Sequence, residues 1–290
     1  MLDLDAWFSG GHRVRLAASN GQPVELFCRV SGAGPNVCLV HGFPTCSWDW
    51  AAISDNLSSD HQLLMPDLLG FGDSDKPPGH HYSLVEQADF LEALWQHHGI
   101  RETALVAHDI GATVAQELLA RQLEGRLPIR FTHVVLLNSA LYEAVSRPRP
   151  VQKLLAHPQI GPILARLMNE RLFTRNLRSV FSETHPLSSG TAHDYWVAFR
   201  RRSTSPHIHR LLQYIPERHH HHTRWESAME HSPVPLHFIW GMADPVSGAP
   251  VAAQIQASIP AARVKTLDDV GHYPHVEVPD QVVAELRTLL

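Results

Sequence analysis

Residues 105–112 read Leu105-Val106-Ala107-His108-Asp109-Ile110-Gly111-Ala112. An apolar run suited to a buried strand passes through a turn into a helical pattern that starts at Ile110. Small residues flank Asp109 two positions before, at Ala107, and two positions after, at Gly111. This is the spacing of a nucleophile elbow, a tight strand-to-helix turn that leaves no room for larger side chains and lifts its central residue above the end of a sheet. Aspartate stands where serine is usual. Asp109 also suits a helix N-cap, so the segment alone leaves two readings open.

Strand and helix patterns alternate on both sides of this turn. Candidate strands are Val24–Val30, Val37–Val40, Gln62–Met65, Ala104–Ala107, His133–Leu137, Leu236–Trp240 and Arg263–Thr266. Candidate helices are Trp48–Leu57, Leu84–His98, Ile110–Gln122, Val251–Ser258 and Pro279–Leu289. Alternation of this kind predicts an α/β fold with a mostly parallel central sheet flanked by helices. It stops between about 141 and 231, where helical periodicity and scattered prolines leave no convincing strand. The expected organisation is a core domain from residues 1–140 and 232–290 with an inserted helical cap domain at 141–231. Residues 142–231 carry 13 Lys and Arg against 7 Asp and Glu, while the rest of the chain carries 11 against 22. Solvated helix faces and ion pairs between cap and core account for that division, with attraction of anionic substrates as the alternative.

Composition narrows the class further. A chain of 290 residues, 44% hydrophobic and 18% charged, can bury a sizeable core and is not disordered. A formal net charge of −5 argues against nucleic-acid binding through phosphate contacts. The three cysteines, Cys28, Cys38 and Cys46, form no disulfide framework and fit reduced thiols in a cytoplasmic protein. The opening Met1-Leu2-Asp3-Leu4-Asp5 lacks the basic start and apolar run of a signal peptide. No stretch reaches the roughly 18–20 apolar residues of a membrane span. The 22 histidines make the net charge soft near neutrality, and a cap rich in them is expected to gain charge near pH 6.5.

Four further segments fall after predicted strands, where open α/β sheets gather their sites. His41-Gly42-Phe43-Pro44 follows Val37–Val40, and Asp67-Leu68-Leu69-Gly70-Phe71-Gly72-Asp73-Ser74-Asp75 follows Gln62–Met65. Trp240-Gly241-Met242-Ala243-Asp244-Pro245 places an acid beyond one strand, and Val270-Gly271-His272-Tyr273-Pro274 places a histidine beyond another. Each could be an ordinary strand-ending turn. Together they supply nucleophile, acid and histidine in the order Asp109, Asp244, His272, the chain order of α/β-hydrolases. The backbone N–H groups of Phe43 and Ile110 then form the expected oxyanion hole. Asp268 and Asp269 sit too close before His272 to be preferred as the acid.

Across nearly its full length the chain resembles the epoxide hydrolase and haloalkane dehalogenase branch of the α/β-hydrolase superfamily. It is most similar to the mesoderm-specific transcript group in HGFPTCSWDW (41–50), LLGFGDSDKP (68–77), HDIGATVAQELL (108–119), LLQYIPER (211–218) and GHYPHVEVP (271–279). The resemblance implies an α/β-hydrolase fold, no cofactor and a small apolar substrate. A carboxylate nucleophile suits displacement at saturated carbon, since attack on an ester would give an anhydride. Asp109 would therefore open an epoxide or displace a halide to form an alkyl ester. His272, oriented by Asp244, would then activate the water that cleaves that ester.

Dehalogenases of this branch usually follow the nucleophile with Trp and many place Asn in the HGxP loop. Ile110 and Phe43 stand at those positions and have no side-chain donor. Epoxide opening is therefore the leading expectation, with dehalogenation or a low-turnover binding protein as alternatives. Epoxide hydrolases use cap tyrosines as donors to the ring oxygen. In the segment from Ser205 to Pro216, read as a short helix capped by Ser205 and ended by Pro216, Ile208, Leu211, Leu212 and Ile215 form an apolar stripe with Tyr214 at its margin. Tyr214 matches one family tyrosine, and Tyr195 is the candidate second donor. His41 and His108 are expected to orient neighbouring groups by hydrogen bonding. The run His219-His220-His221-His222 reads as an exposed cap loop, with no metal site expected. A monomer or homodimer without nucleic-acid partners completes the expectation.

Overall fold

The computed structural model describes residues 3–290, so Met1 and Leu2 of the stretch read for a leader lie outside the described residues. Eight strands form one sheet: β1 His12–Ala17, β2 Pro23–Ser31, β3 Asn36–Val40, β4 Gln62–Pro66, β5 Glu102–His108, β6 Arg130–Leu137, β7 Leu236–Gly241 and β8 Arg263–Leu267. Their spatial order is β1-β2-β4-β3-β5-β6-β7-β8. β2 runs antiparallel to β1 and β4, and every other pairing is parallel. All seven expected strands are present with ends shifted by a few residues. β1 was not expected, because only Val14 of its six residues is buried and the remaining pattern is that of a solvated edge. After β3 the chain steps to β4 on one side and returns as β5 on the other. The crevice above that reversal is where open α/β sheets bind ligands.

Helices α1 Leu4–Ser9, α2 Ala51–Leu57, α3 Leu84–His97 and α4 Ile110–Leu123 precede β6. Between β6 and β7 lie α5 Pro150–Ala156, α6 Gly161–Leu167, α7 Glu170–Arg178, α8 Ser189–Arg200, α9 Ile208–Leu211 and α10 Tyr214–Glu230, with no strand. α11 Ala249–Ser258, α12 Pro274–Glu277 and α13 Pro279–Leu289 complete the chain. β5 and α4 are the most enclosed elements. All of β5 beyond Glu102 and all of α4 through Arg121 are buried, and the polar side chains of α4, Gln116, Glu117 and Arg121, are hydrogen-bonded there.

Two expectations for residues 205–222 are corrected. Pro216 does not end a helix. The short helix α9 stops at Leu211, and Pro216 falls in the first turn of α10, where a missing N–H costs no hydrogen bond. The four histidines 219–222 therefore lie on a helix, with His221 tilted against the Trp225 ring at 5.0 Å.

α10 packs along α4 as part of the core layer. Trp225 Nε1 donates to Glu117 Oε2 at 2.8 Å, and Arg224 pairs with Glu117 and Glu124. Elsewhere Arg201 Nε meets Asp73 at 2.9 Å and Arg202 meets Asp75 at 2.5 Å. The expected pairing of insertion cations with core acids is thus present. One acid crosses in the other direction. Glu217 of α10 accepts from Ser83 Oγ at 2.5 Å and from the N–H groups of Leu84 at 2.8 Å and Val85 at 3.3 Å. A carboxylate there satisfies the open amides at the start of α3 and complements its dipole. Replacing Glu217 with Ala should lower stability by about 2 kcal/mol, measured by urea unfolding, because hydrogen bonds to a charged group are lost at a partly buried helix end.

Candidate active site

The turn between β5 and α4 carries Asp109 at φ 49° and ψ −117°. Positive φ is strained for a residue with a β-carbon and persists only where packing enforces it. Glycines make that packing possible. A β-carbon at Gly42 would lie 2.7 Å from both Asp109 Cβ and His108 Nδ1, and one at Gly111 would lie 2.6 Å from the carbonyl oxygens of Val40 and His41. Ser139 Oγ also donates to the Asp109 carbonyl at 2.7 Å. The N-cap reading fails, since the Asp109 side chain caps no amide of α4. Instead Oδ2 accepts the Phe43 N–H at 2.9 Å. Ile110 occupies the first position of α4, where a helix leaves its N–H groups without intrahelical acceptors.

Above this turn, His272 Nδ1 lies 2.7 Å from Asp244 Oδ2, and its Nε2 lies 3.6 Å from Asp109 Oδ1. Burial alone would push the imidazole pKa down. The charge of Asp244, with the Asp109 carboxylate on the other side, outweighs burial and holds His272 up at about 10. Burial likewise works against ionised Asp244, but the His272 charge and hydrogen bond bring it to about 2. Asp109 is also lowered, its desolvation overcome by His272. The resting arrangement is an imidazolium between two carboxylates.

Each member is held by its neighbours. Asn138 Nδ2 donates to Asp244 Oδ2 at 2.9 Å, Ser247 Oγ donates to the same oxygen at 2.5 Å, and the Val246 N–H donates to Oδ1 at 2.7 Å. The His272 N–H donates to the Val180 carbonyl at 2.9 Å, and His108 Nε2 hydrogen-bonds the His272 carbonyl at 2.8 Å. His41 links the Gly42 carbonyl through Nδ1 at 2.8 Å to the Leu68 N–H through Nε2 at 3.0 Å. Burial holds His41 at about 4 and His108 at about 3, so both are neutral at pH 7. Asn138 and Ser247 escaped the sequence reading. Asn138 follows the β6 strand end, the one signal that marks it.

Asp109 and His272 open into a cavity whose walls are mainly apolar, among them Phe43, Leu155, Phe173 and Leu212, with polar Arg149, Gln152 and Asn176. Tyr214 is buried behind two of these wall residues. Its ring lies 5.9 Å from the Phe43 ring, and its hydroxyl accepts from Gln152 Nε2 at 3.3 Å. Burial, then the nearby Asp109 charge, raises its pKa, so the hydroxyl keeps its proton. Tyr195, the expected second donor, lies elsewhere. α8 turns it away from the cavity wall to pack edge-on against Trp48 at 5.0 Å, beside the Asp49 carboxylate. Its aromatic neighbourhood in the sequence was a packing signal. Gln152 lines the cavity and is the side chain that reaches the Tyr214 hydroxyl.

One polar cluster lies behind the nucleophile. Asp49, His108 and His275 are buried and offer ligand atoms within 4.8 Å of one another. Asp49 Oδ1, His108 Nδ1 and both His275 ring nitrogens have no hydrogen-bond partner among the described residues. Burial lowers both histidines and raises Asp49 to about 8.

Residues 39–286 match the family model described as "Alpha/beta hydrolase family". The chain is 38% identical over 288 residues to LipZ of Mycobacterium tuberculosis, covering 98% of this chain and 96% of that protein. It is 41% identical over 259 residues to the mesoderm-specific transcript homolog protein of Bos taurus, covering 86% and 77%. In fold it is similar to a haloalkane dehalogenase loop variant from Bradyrhizobium elkanii, with TM-score 0.78, 21% identity and 96% of both chains covered. It is also similar to the epoxide hydrolase CorEH, with TM-score 0.77, 18% identity and 96% and 98% covered.

The charge arrangement is testable by ¹⁵N NMR of histidine-labelled protein. His272 should be doubly protonated at about pH 7.5, while His41 and His108 stay neutral down to about pH 5.5. A neutral His272 at that pH would contradict the two-carboxylate arrangement.

Proposed function

The chain belongs to the alpha/beta hydrolase family, and within it we propose that the protein hydrolyses an epoxide through a covalent ester on Asp109. The observation that carries this reading is the identity and setting of the elbow group. It is a carboxylate, with Oδ2 on the Phe43 N–H at 2.9 Å and Oδ1 facing His272 Nε2 at 3.6 Å. One oxygen is engaged where an oxyanion would form, and the other is available for attack.

In the proposed sequence Asp109 Oδ1 attacks a ring carbon, and the C–O bond breaks toward the ring oxygen. That oxygen accepts a hydrogen bond from Tyr214. Gln152 occupies the acceptor side of the Tyr214 hydroxyl, which leaves the phenol proton free to turn toward the cavity. Gln152, which lines the cavity, supplies a second amide donor. The alkoxide takes the proton carried by the His272 imidazolium. Esterification removes one of the two charges that raised the His272 pKa, so the imidazole becomes a base at the step that needs one.

Neutral His272 then takes a proton from water as hydroxide adds to the Asp109 carboxyl carbon. Oδ2 becomes the oxyanion beside Phe43 and Ile110 N–H. Collapse expels the diol oxygen, which picks up the remaining carboxyl proton, and the carboxylate–imidazolium pair is restored. One diol oxygen comes from the epoxide and the other from Asp109.

The His272→Gln variant should accumulate a protein adduct heavier by the mass of the epoxide, seen by intact mass spectrometry, while the parent protein shows none. A correctly folded variant that forms no adduct across terminal, internal and aryl epoxides would overturn the reading. Tyr214→Phe should lower kcat by about 10²-fold with little change in KM, the loss expected when one donor to a developing oxyanion is removed.

A further inference from the structure

The charge surplus of the inserted segment is concentrated. Between residues 147 and 178 there are seven basic residues, Arg147, Arg149, Lys153, Arg166, Arg171, Arg175 and Arg178, and a single acid, Glu170. The rest of 142–231 is balanced, with six of each sign. The cations that pair with core acids, Arg201, Arg202 and Arg224, belong to the balanced part. None of the seven basic residues between 147 and 178 makes an ion pair among the described residues, and Glu170 is engaged with His193 at 2.7 Å.

The same helices expose apolar side chains. Leu154 of α5, Ile163 and Leu167 of α6, Leu172 of α7 and Ile160 just before α6 are all exposed, with Ile163 at 60% and Leu167 at 62%. Of the seven large hydrophobic residues most exposed among the described residues, only Leu123 and Val197 lie outside this segment. Scattered exposed leucines are ordinary, but five within about 20 residues, on helices that also carry cations without ion pairs, mark an interaction face; Arg171, Arg175 and Arg178 also line a cleft shared with Glu183 and Asp269. Leu155, Ala165, Phe173 and Leu177 point inward from the same helices, so the exposed set is the outer side of elements already anchored.

We propose that the outer face of α5, α6 and α7 docks on an anionic lipid surface. Apolar knobs enter the headgroup boundary while arginines and a lysine reach the phosphates, the division of labour of interfacial helices. A second copy of this chain is a poor occupant, because self-docking would bring two surfaces with a surplus of positive charge together. A purely apolar partner would leave the cations unpaired. Among the described residues no helix is long and apolar enough to cross a membrane. The inner sides of α5 and α7 supply Gln152, Leu155, Phe173 and Leu177 to the cavity wall, so docking sets one wall of the site beside the lipid. The docking face stands independently of the Asp109 chemistry.

Co-sedimentation of the full chain with phosphatidylcholine vesicles, with and without about 30% phosphatidylglycerol, tests this. Binding should be at least about ten-fold stronger to the anionic vesicles and should fall when salt is raised from about 50 to 500 mM. The triple variant Arg171→Glu, Arg175→Glu, Arg178→Glu and the double variant Ile163→Ser, Leu167→Ser should each lose about ten-fold or more. Both change only exposed side chains, and unchanged circular dichroism and melting show that the fold survives. Equal binding to neutral and anionic vesicles, or full binding by the charge-reversed variant, would overturn the proposal. Absence of vesicle binding, together with a dimer that the double serine variant abolishes, would overturn it in favour of self-association.

Discussion

Two carboxylates face one imidazole from opposite sides at a largely buried site, and most of the surrounding structure serves to keep them there. Left alone, two buried anions and a buried cation would be costly. Hydrogen bonds lower that cost at each member. Asp244 has Asn138, Ser247 and the Val246 N–H, while Asp109 has Phe43 and the strained turn. His272 is pinned through its own backbone by Val180 and His108. Because Val180 lies between β6 and β7 and His108 at the end of β5, the imidazole is positioned jointly by the helical stretch and the sheet.

The charge arrangement gives the proposed chemistry its order. An imidazolium between two carboxylates is a poor base, and the same group beside one carboxylate and a neutral ester is a better one. No conformational change is needed to switch it, because the covalent step itself removes the charge. Gln152 and Phe43 line the cavity with Tyr214 packed behind them, and the polar cluster of Asp49, His108 and His275 lies on the other side of the nucleophile.

The inserted segment divides by charge into two parts with different partners. Its balanced part is tied to the core through Arg201, Arg202, Arg224 and Glu217, and α10 is in effect a core helix packed on α4. The helices from α5 to α7 retain unpaired cations and exposed leucines and isoleucines over the cavity. A composition that reads as one basic insertion is thus two surfaces.

Much of the fold and the central part of the site were legible in the sequence. Buried parallel strands must be apolar along their length, and a strained strand-to-helix turn must have small residues at two fixed offsets. Both requirements act within a few residues, so they leave local marks around Asp109 and at the buried parallel strands β3 to β7. β1 left no such mark because it is a half-solvated edge. Tyr195, Gln152 and the cluster of Asp49, His108 and His275 depended on how helices far apart in the chain pack, which local periodicity does not encode. The sequence by itself determined which groups stand at the ends of the strands. Tertiary structure alone decided which side chains face the cavity, since that depends on contacts between residues that no spacing rule relates.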